Sequence, residues 1–362
     1  MLDFQKLLQL AVESKASDVH LQAALSPMMR IAGQMRSVDS APITNEETFN
    51  FIASIAPEEV RTDLDTAIFS GLDFPYEVPG LSRFRCSAFR QLGRVGMTIR
   101  IVRSDIQSID SLNLPNVIHD VALSGRGLTL VTGTTGSGKS TTLAAMIDLI
   151  NQTNRVKIIT IEDPVEYIHP SKKALVSQIQ VGTDTPSFDQ ALRQALRQDP
   201  DVILIGELRD VETLRIALRA ADTGHQVFCT VHSADAPQTI ERIITMFPAN
   251  EHKLLLAQLA SSVEAIVSQR LVTLQAGGRR PAAEVLRGNA VVERYILENR
   301  LAEIHAYMET GEGEMQTFDQ HLLKIFNDGQ IRASEAMRWA SNPEALAMSM
   351  RGIKATGGGI RK

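Results

Sequence analysis

The residues best suited to chemistry form an eight-residue segment, Gly133–Ser140, with the sequence GTTGSGKS. It fits the pattern G-x-x-x-x-G-K-[ST], in which glycines let backbone N–H groups converge on phosphate oxygens. Lys139 would neutralise charge on the β- and γ-phosphates, and the Ser140 hydroxyl would ligate Mg²⁺. The sequence therefore predicts a phosphate-binding loop for a nucleoside triphosphate. Its expected nucleotide-binding residues are Gly133, Thr134, Thr135, Gly136, Ser137, Gly138, Lys139, Ser140 and Thr141.

Acidic residues follow two apolar segments further along the chain. Glu162 and Asp163 come after Val156–Ile161, and Glu207 follows Val202–Ile205 with one residue between. The carboxyl ends of parallel strands are where a phosphate loop of this kind finds its acidic partners. We expect Glu207, at a position where Asp is more usual, to belong to the Mg²⁺ and water shell, and Glu162 to activate the attacking water. Capping a helix or pairing with an arginine remains open for Glu162, and a turn for Asp163.

Two histidines bracket a third apolar segment, Val227–Val231, with His225 before it and His232 after it. At the carboxyl end of a strand, a neutral His232 imidazole could sense the γ-phosphate or hold the water by a hydrogen bond. A structural role remains open for both histidines. The guanine-reading pattern N-K-x-D does not occur, so adenine is the expected base. The expected catalytic residues are Lys139, Glu162, Glu207 and His232, acting on ATP with Mg²⁺.

These residues need strands and helices that hold them at one edge of a sheet. The run Leu128–Thr132 is continuously apolar and directly precedes the loop, and Leu143, Met146 and Ile147 form a helical stripe after it. Buried parallel strands are apolar throughout because helices cover both faces of their sheet. Four such runs alternating with helical stripes predict an α/β domain with a parallel sheet over residues 119–350.

The first hundred residues show a different pattern. A helical apolar stripe begins at Phe4. Short strand-like segments follow, at Val19–Leu21, Met28–Ile31, Arg83–Phe89 and Met97–Val102. We predict a small α+β domain over residues 1–103. The polar, turn-rich segment 104–118 is predicted to be a linker, and the glycine-rich, basic segment 351–362 a flexible tail.

Length and composition exclude several classes of protein. A chain of 362 residues with 44% hydrophobic and 22% charged residues is typical of two globular domains. No apolar run reaches 18 residues and no uninterrupted apolar core follows the amino terminus, so we expect a cytoplasmic protein. A net charge of −5 does not favour a nucleic-acid backbone as partner. The two cysteines, Cys86 and Cys229, cannot form a zinc cluster by themselves.

Several long motifs occur in the order found in secretion ATPases. The chain resembles that family in its Walker A, Asp box, Walker B and His box, which are Gly133–Ser140, Ile159–His169, Leu196–Asp210 and Thr223–Ala236. The segments Ala16–Leu21 (ASDVHL) and Arg83–Gln91 (RFRCSAFRQ) resemble the family's first domain. Within the family, the chain is similar to the retraction ATPases of type IV pili, the PilT and PilU kind. Its Ala290–Glu298 (AVVERYILE) departs from the PilT motif close to AIRNLIRE, which favours a PilU-like accessory motor.

The resemblance implies a RecA-like carboxyl-terminal domain, a PAS-like amino-terminal domain and a homo-hexameric ring with nucleotide between the two domains. It also implies that Arg270 lines the nucleotide site and that arginines of the first domain reach the γ-phosphate. The candidates are Arg83, Arg85, Arg90, Arg94 and Arg100. The implied partners are an inner-membrane pilus platform protein and, for an accessory motor, a paralogous retraction ATPase. The implied location is the cytoplasm, peripheral to the inner membrane at the pilus base.

Three other functions remain open at this stage. A pilus-extension or type II secretion ATPase would use the same chemistry. A RecA-like nucleic-acid motor would need a basic groove that the overall charge does not suggest. A ring subunit with weak activity of its own would work through a paralogue.

Overall fold

The computed structural model describes residues 3–31 and 33–353. The described chain forms two compact units. The first contains the residues up to Asp105 together with Glu166–Ile168, and the second contains Ile106–Val165 and the residues from His169 onward. Of the predicted tail, residues 354–362 lie outside the described part.

The first unit is an antiparallel sheet with helices. Its helices are α1 (Phe4–Glu13), α2 (Asn45–Ile55), α3 (Glu58–Arg61) and α4 (Leu64–Ser70). Its strands are β1 (Ala16–Gln22), β2 (Met28–Ile31), β3 (Gln34–Ser37), β4 (Leu72–Val78), β5 (Ser82–Gln91) and β6 (Arg94–Ile101). They are ordered β3-β2-β1-β6-β5-β4, and every neighbouring pair is antiparallel.

Local sequence explains most of this unit. The α1 stripe buries Leu7, Leu8 and Ala11, and α2 begins with a capping box between Thr44 and Glu47. The strand-like segments of the sequence lie mainly within β1, β2, β5 and β6. No strand signal marks β3, which is fully exposed, or β4, which contains a proline and two acids.

The second unit contains a seven-stranded sheet. Its strands are β7 (Gly127–Thr132), β8 (Lys157–Glu162), β9 (Leu175–Gln180), β10 (Val202–Ile205), β11 (Gln226–Val231), β12 (Val263–Thr273) and β13 (Arg279–Arg287). Their order is β13-β12-β7-β11-β10-β8-β9, and only β13 is antiparallel to its neighbour. The predicted fold class, a largely parallel α/β unit after a smaller α+β unit, is confirmed.

Helices cover both faces of this sheet. They are α5 (Val117–Ala122), α6 (Lys139–Thr153), α7 (Phe188–Ala195), α8 (Val211–Asp222), α9 (Ala236–Met246), α10 (His252–Ser262), α11 (Ala290–Leu297), α12 (Ala302–Met308), α13 (Phe318–Asn327), α14 (Ala333–Trp339) and α15 (Pro343–Met350). Short 3₁₀ helices occur at Ala249–Glu251 and Glu312–Glu314. Helices α5 and α6 pack on one face, and α7 to α10 on the other. No helix of the described residues is long and apolar enough to cross a membrane.

The segment predicted as a linker contributes to the second unit. Ile109, Leu114 and Val117 are buried in its core beside α6, and Val117 is the first residue of α5. The chain therefore joins the second unit from Ile106 onward.

Candidate active site

A glycine-rich loop joins β7 to α6. Gly133 has a φ of 142°, and a Cβ there would lie 2.5 Å from both the Gln269 carbonyl oxygen and the Ser137 hydroxyl. Gly138, the N-cap of α6, has a φ of 96° and offers no capping side chain to the helix. Backbone N–H groups at such a helix start are suited to phosphate oxygens. The buried Ser137 hydroxyl has no hydrogen-bond partner, which fits a loop built to receive a phosphate group.

Lys139 places a cation against this loop. Its side chain is largely buried, and Nζ donates to the carbonyl oxygens of Gly133 at 2.8 Å and Thr134 at 3.1 Å. Burial lowers the pKa of Lys139, and the charge of Glu207 opposes that effect. The ammonium group therefore lies near both the loop and a carboxylate.

Glu162 is the last residue of β8 and is largely buried. Its Oε1 accepts hydrogen bonds from Thr160 Oγ1 at 2.7 Å and from Gln178 Nε2 at 3.3 Å. Gln178 lies on β9, the strand paired with β8. Neighbouring polar groups thus fix the orientation of this carboxylate.

Glu207 follows β10, which lies between β8 and β11 in the sheet. Its Oε2 accepts a hydrogen bond from Arg209 Nε at 2.7 Å, and its Oε1 lies 3.3 Å from His232 Nε2. Arg209 also donates through Nη1 to Asp163 Oδ2 at 3.1 Å. The Arg209 guanidinium therefore bridges Asp163 after β8 and Glu207 after β10, two neighbouring strands. The sequence analysis did not predict this contact. The only signal was an arginine two positions after Glu207.

His232 directly follows β11, as the sequence predicts, whereas His225 lies at the strand's other end. Burial lowers the pKa of His232, the charge of Lys139 lowers it further, and Glu207 opposes both. These effects favour a neutral imidazole. His225 Nδ1 lies 2.9 Å from the Ala220 carbonyl oxygen, so its contacts are with the end of α8 rather than with the loop.

Comparison with known proteins assigns the chain to a family. Residues 2–284 match the family described as "Type II/IV secretion system protein". The chain belongs to this family. It is 42% identical to the type IV pilus retraction ATPase PilT of Pseudomonas aeruginosa, over 95% of this chain and 99% of that protein. It is 39% identical to the type IV pilus ATPase PilU of the same organism, over 97% and 92%.

A solved structure is also similar to this chain over nearly its whole length. The crystal structure of the pilus retraction motor PilT with bound ADP has a TM-score of 0.89 and 41% identity, covering 96% of this chain and 99% of that chain. The resemblance to secretion-family ATPases of the PilT and PilU kind is confirmed.

The family resemblance implies that Arg270 lines the nucleotide site, and this stays a prediction. Its neighbour Gln269 donates to Thr142 Oγ1 of α6 at 2.8 Å. Side chains alternate along a strand, so Arg270 projects from the opposite face of β12. There its guanidinium lies 3.7 Å from the centre of the Phe318 ring and donates to the Trp339 carbonyl oxygen.

The five arginines suggested for the γ-phosphate do not all lie on the same face of the first unit's sheet. Arg85 and Arg100 are opposite each other on β5 and β6, and Arg83 shares their face. Arg100 Nε donates to Asp18 at 2.9 Å. Arg90 lies on the other face, where it pairs with Asp65 of α4, and Arg94 is exposed at the start of β6.

The metal-ligand set fits Mg²⁺ chemically. Mg²⁺ in nucleotide sites is usually held by one or two protein oxygens and by phosphates. Ser140, exposed in the first turn of α6, and Glu207 offer such oxygens. Among the described residues, no group of three or more histidine, cysteine or acidic side chains could hold a metal ion without phosphates.

Proposed function

We propose that this protein is an ATPase motor that hydrolyses ATP to drive type IV pilus retraction. The observation that carries the proposal is the alignment of functional groups at one edge of the sheet. Lys139 follows β7, Glu162 ends β8, Glu207 follows β10 and His232 follows β11. Relatives named as pilus retraction ATPases match nearly the whole chain, which connects this chemistry to pilus retraction.

Each residue has a proposed part in hydrolysis. The loop and the start of α6 bind the phosphates, and Lys139 neutralises charge on the β- and γ-phosphates. Ser140 and Glu207 would hold Mg²⁺, which would supply further charge neutralisation. Glu162 orients and deprotonates the attacking water. A neutral His232 holds a hydrogen bond to the water or the γ-phosphate.

The larger assembly is proposed on the same basis. We infer a homo-hexamer in the cytoplasm at the inner membrane, which acts on a pilus platform protein. Arginines of the first domain would reach the nucleotide, and Arg270 would contribute from outside the phosphate loop. The sequence identities to PilT and to PilU, 42% and 39%, differ too little to favour the role of either protein. The PilU-like accessory role with a paralogous ATPase therefore stays a prediction. The negative net charge gives no support for a nucleic-acid partner.

The Glu162→Gln variant tests the enzymatic proposal. A general base contributes about 10²–10⁴-fold to rate, so ATP turnover should fall by about that factor while ADP affinity stays near the wild-type value. Glu241→Gln, at an exposed acid on α9, is the matched control and should keep full activity. Normal turnover in Glu162→Gln would contradict the assignment, and salt-sensitive stimulation of the wild type by DNA would favour a nucleic-acid motor.

The direction of the motor is tested in cells. A strain that lacks the gene should keep its surface pili and lose twitching motility. Loss of the pili themselves would favour the pilus-extension alternative. Restoration of twitching by the wild-type gene but not by Glu162→Gln would connect the phenotype to ATP hydrolysis.

A further inference from the structure

A buried acid on β13 lies against the start of α9. Glu284 is 1% exposed, and its Oε1 accepts a hydrogen bond from the backbone N–H of Ala236 at 2.9 Å. Ala236 is the first residue of α9, where backbone N–H groups have no acceptor within the helix. A buried donor without an acceptor is costly. Glu284 therefore satisfies a group that the helix itself cannot.

The other donors of this first turn are already accounted for. Pro237 has no N–H, the Gln238 N–H donates to Asp235 Oδ1 at 2.9 Å, and the Thr239 N–H donates to the Asp235 carbonyl oxygen at 3.0 Å. Among these residues, only the Ala236 N–H has its acceptor in the sheet, on the β13 side chain of Glu284. The contact with Glu284 thus fixes where α9 begins relative to the sheet.

The position of α9 matters because this helix holds the histidine. Arg242 of α9 donates through Nη1 to the carbonyl oxygen of His232 at 2.5 Å. The hydroxyls of Ser233 and Thr239 lie 2.6 Å apart, which ties the loop after His232 to the same helix. His232 Nε2 in turn lies 3.3 Å from Glu207 Oε1. A chain of contacts therefore leads from β13 through α9 to the imidazole.

A counter-charge accompanies the buried acid. Arg270 on β12 is opposite Ala282 and Glu284 is opposite Ser268, so the two long side chains are diagonal neighbours on one face of the strand pair. The pKa of Glu284 is raised to about 7, chiefly by burial and also by the charge of Asp235, whereas the Ala236 hydrogen bond and the charge of Arg270 act to lower it. Asp319 of α13 is the remaining acid whose charge acts on this carboxyl. Arg270 thus offsets part of the cost of charging this buried carboxyl.

We propose that Glu284 is a positioning residue for hydrolysis: through the Ala236 amide and α9, its carboxyl holds His232 in register with Glu207. The inference rests on the proposed ATPase function. It assigns Glu284 no contact with nucleotide or water. It also gives Arg270 a part as a neighbouring cation whose charge acts on this carboxyl.

Two substitutions at Glu284 separate positioning from general stability. Glu284→Ala removes the acceptor, whereas Glu284→Gln keeps a carbonyl oxygen at the same place without the charge. We expect kcat for ATP to fall about 10- to 100-fold in Glu284→Ala, the factor for one lost hydrogen bond to a charged group. KM and ADP affinity should stay within about threefold, because the histidine acts mainly in the transition state. Glu284→Gln should recover most of kcat.

A control variant and a second test variant separate loss of positioning from loss of stability. Glu264→Ala removes a partly buried acid from the same strand pair, where it pairs with Arg287 at 2.7 Å, and should leave kcat unchanged. Arg242→Ala removes one of the two links between α9 and the His232 segment, the one made by an exposed side chain directly to His232. It should therefore lower kcat while leaving KM unchanged, even where Glu284→Ala fails to fold. Unchanged kcat in Arg242→Ala, or in a folded Glu284→Ala, overturns the inference. So does equal loss in Glu284→Gln and Glu284→Ala. A wild-type protein that binds ADP but has no turnover contradicts the proposed function instead.

Discussion

Adding one methyl group at Gly133 should disable the phosphate loop. The new Cβ would lie 2.5 Å from a backbone oxygen of Gln269 and from the Ser137 hydroxyl, and the residue would have to keep a φ of 142°. Overpacking costs about 1–3 kcal/mol and backbone strain about the same. The Gln269 carbonyl belongs to the backbone of β12, which is held by its neighbouring strands. We therefore expect the phosphate loop to move and β12 to stay in place. The combined cost is about 2–6 kcal/mol.

ADP titration and urea unfolding of Gly133→Ala measure this cost. Each 1.4 kcal/mol corresponds to about a tenfold change in affinity, so ADP should bind at least about 30-fold more weakly if the loop bears the strain. Gly224→Ala is the control, since Gly224 has a φ of 98° with nothing within 4 Å of its Cβ position and precedes the amino end of β11. It should lose about 1–2 kcal/mol of stability and keep its ADP affinity. Wild-type affinity and stability in Gly133→Ala would refute the steric reasoning.

Two further predictions concern buried groups. Burial lowers the pKa of His321 from 6.5 to about 4, so the folded state favours the neutral ring. Its stabilising effect is complete above pH 6.5 and is lost as the pH falls toward 4, by up to about 3 kcal/mol at 1.4 kcal/mol per pKa unit. His321→Asn, which keeps an acceptor for the Ala283 N–H, should reduce this acid sensitivity in urea unfolding. The partly exposed His305→Asn should not, and equal pH slopes in both variants would contradict the argument. Burial also raises the pKa of Cys86 to about 12 and raises that of Cys229. Iodoacetamide near pH 8 should therefore label neither thiol until urea unfolds the chain, and labelling of the native protein would show that the cysteines are accessible.

Local patterns were sufficient for the phosphate loop, for β7 before it, and for β8, β10 and β11. A continuous apolar run such as Leu128–Thr132 can only be a buried strand or helix, and the glycines after it are required by backbone geometry that a side chain would prevent. The same reasoning failed for β9, because its residues are half-buried and show no continuous apolar run. It also missed β3, which buries nothing. Sequence signals for strands come from burial, so weakly buried strands give none.

What the sequence determined by itself was therefore the chemistry available: a phosphate loop, two acids and a histidine, each at the end of an apolar run. The tertiary structure decided which of these groups meet. The strand order β13-β12-β7-β11-β10-β8-β9 places Glu207 between the ends of β8 and β11, and that order depends on contacts between residues far apart in the chain. The same contacts join Arg209 to two acids, place Arg270 beside Phe318, and bring Glu284 of β13 to the start of α9. No local periodicity encodes these contacts, because each depends on which strands become neighbours.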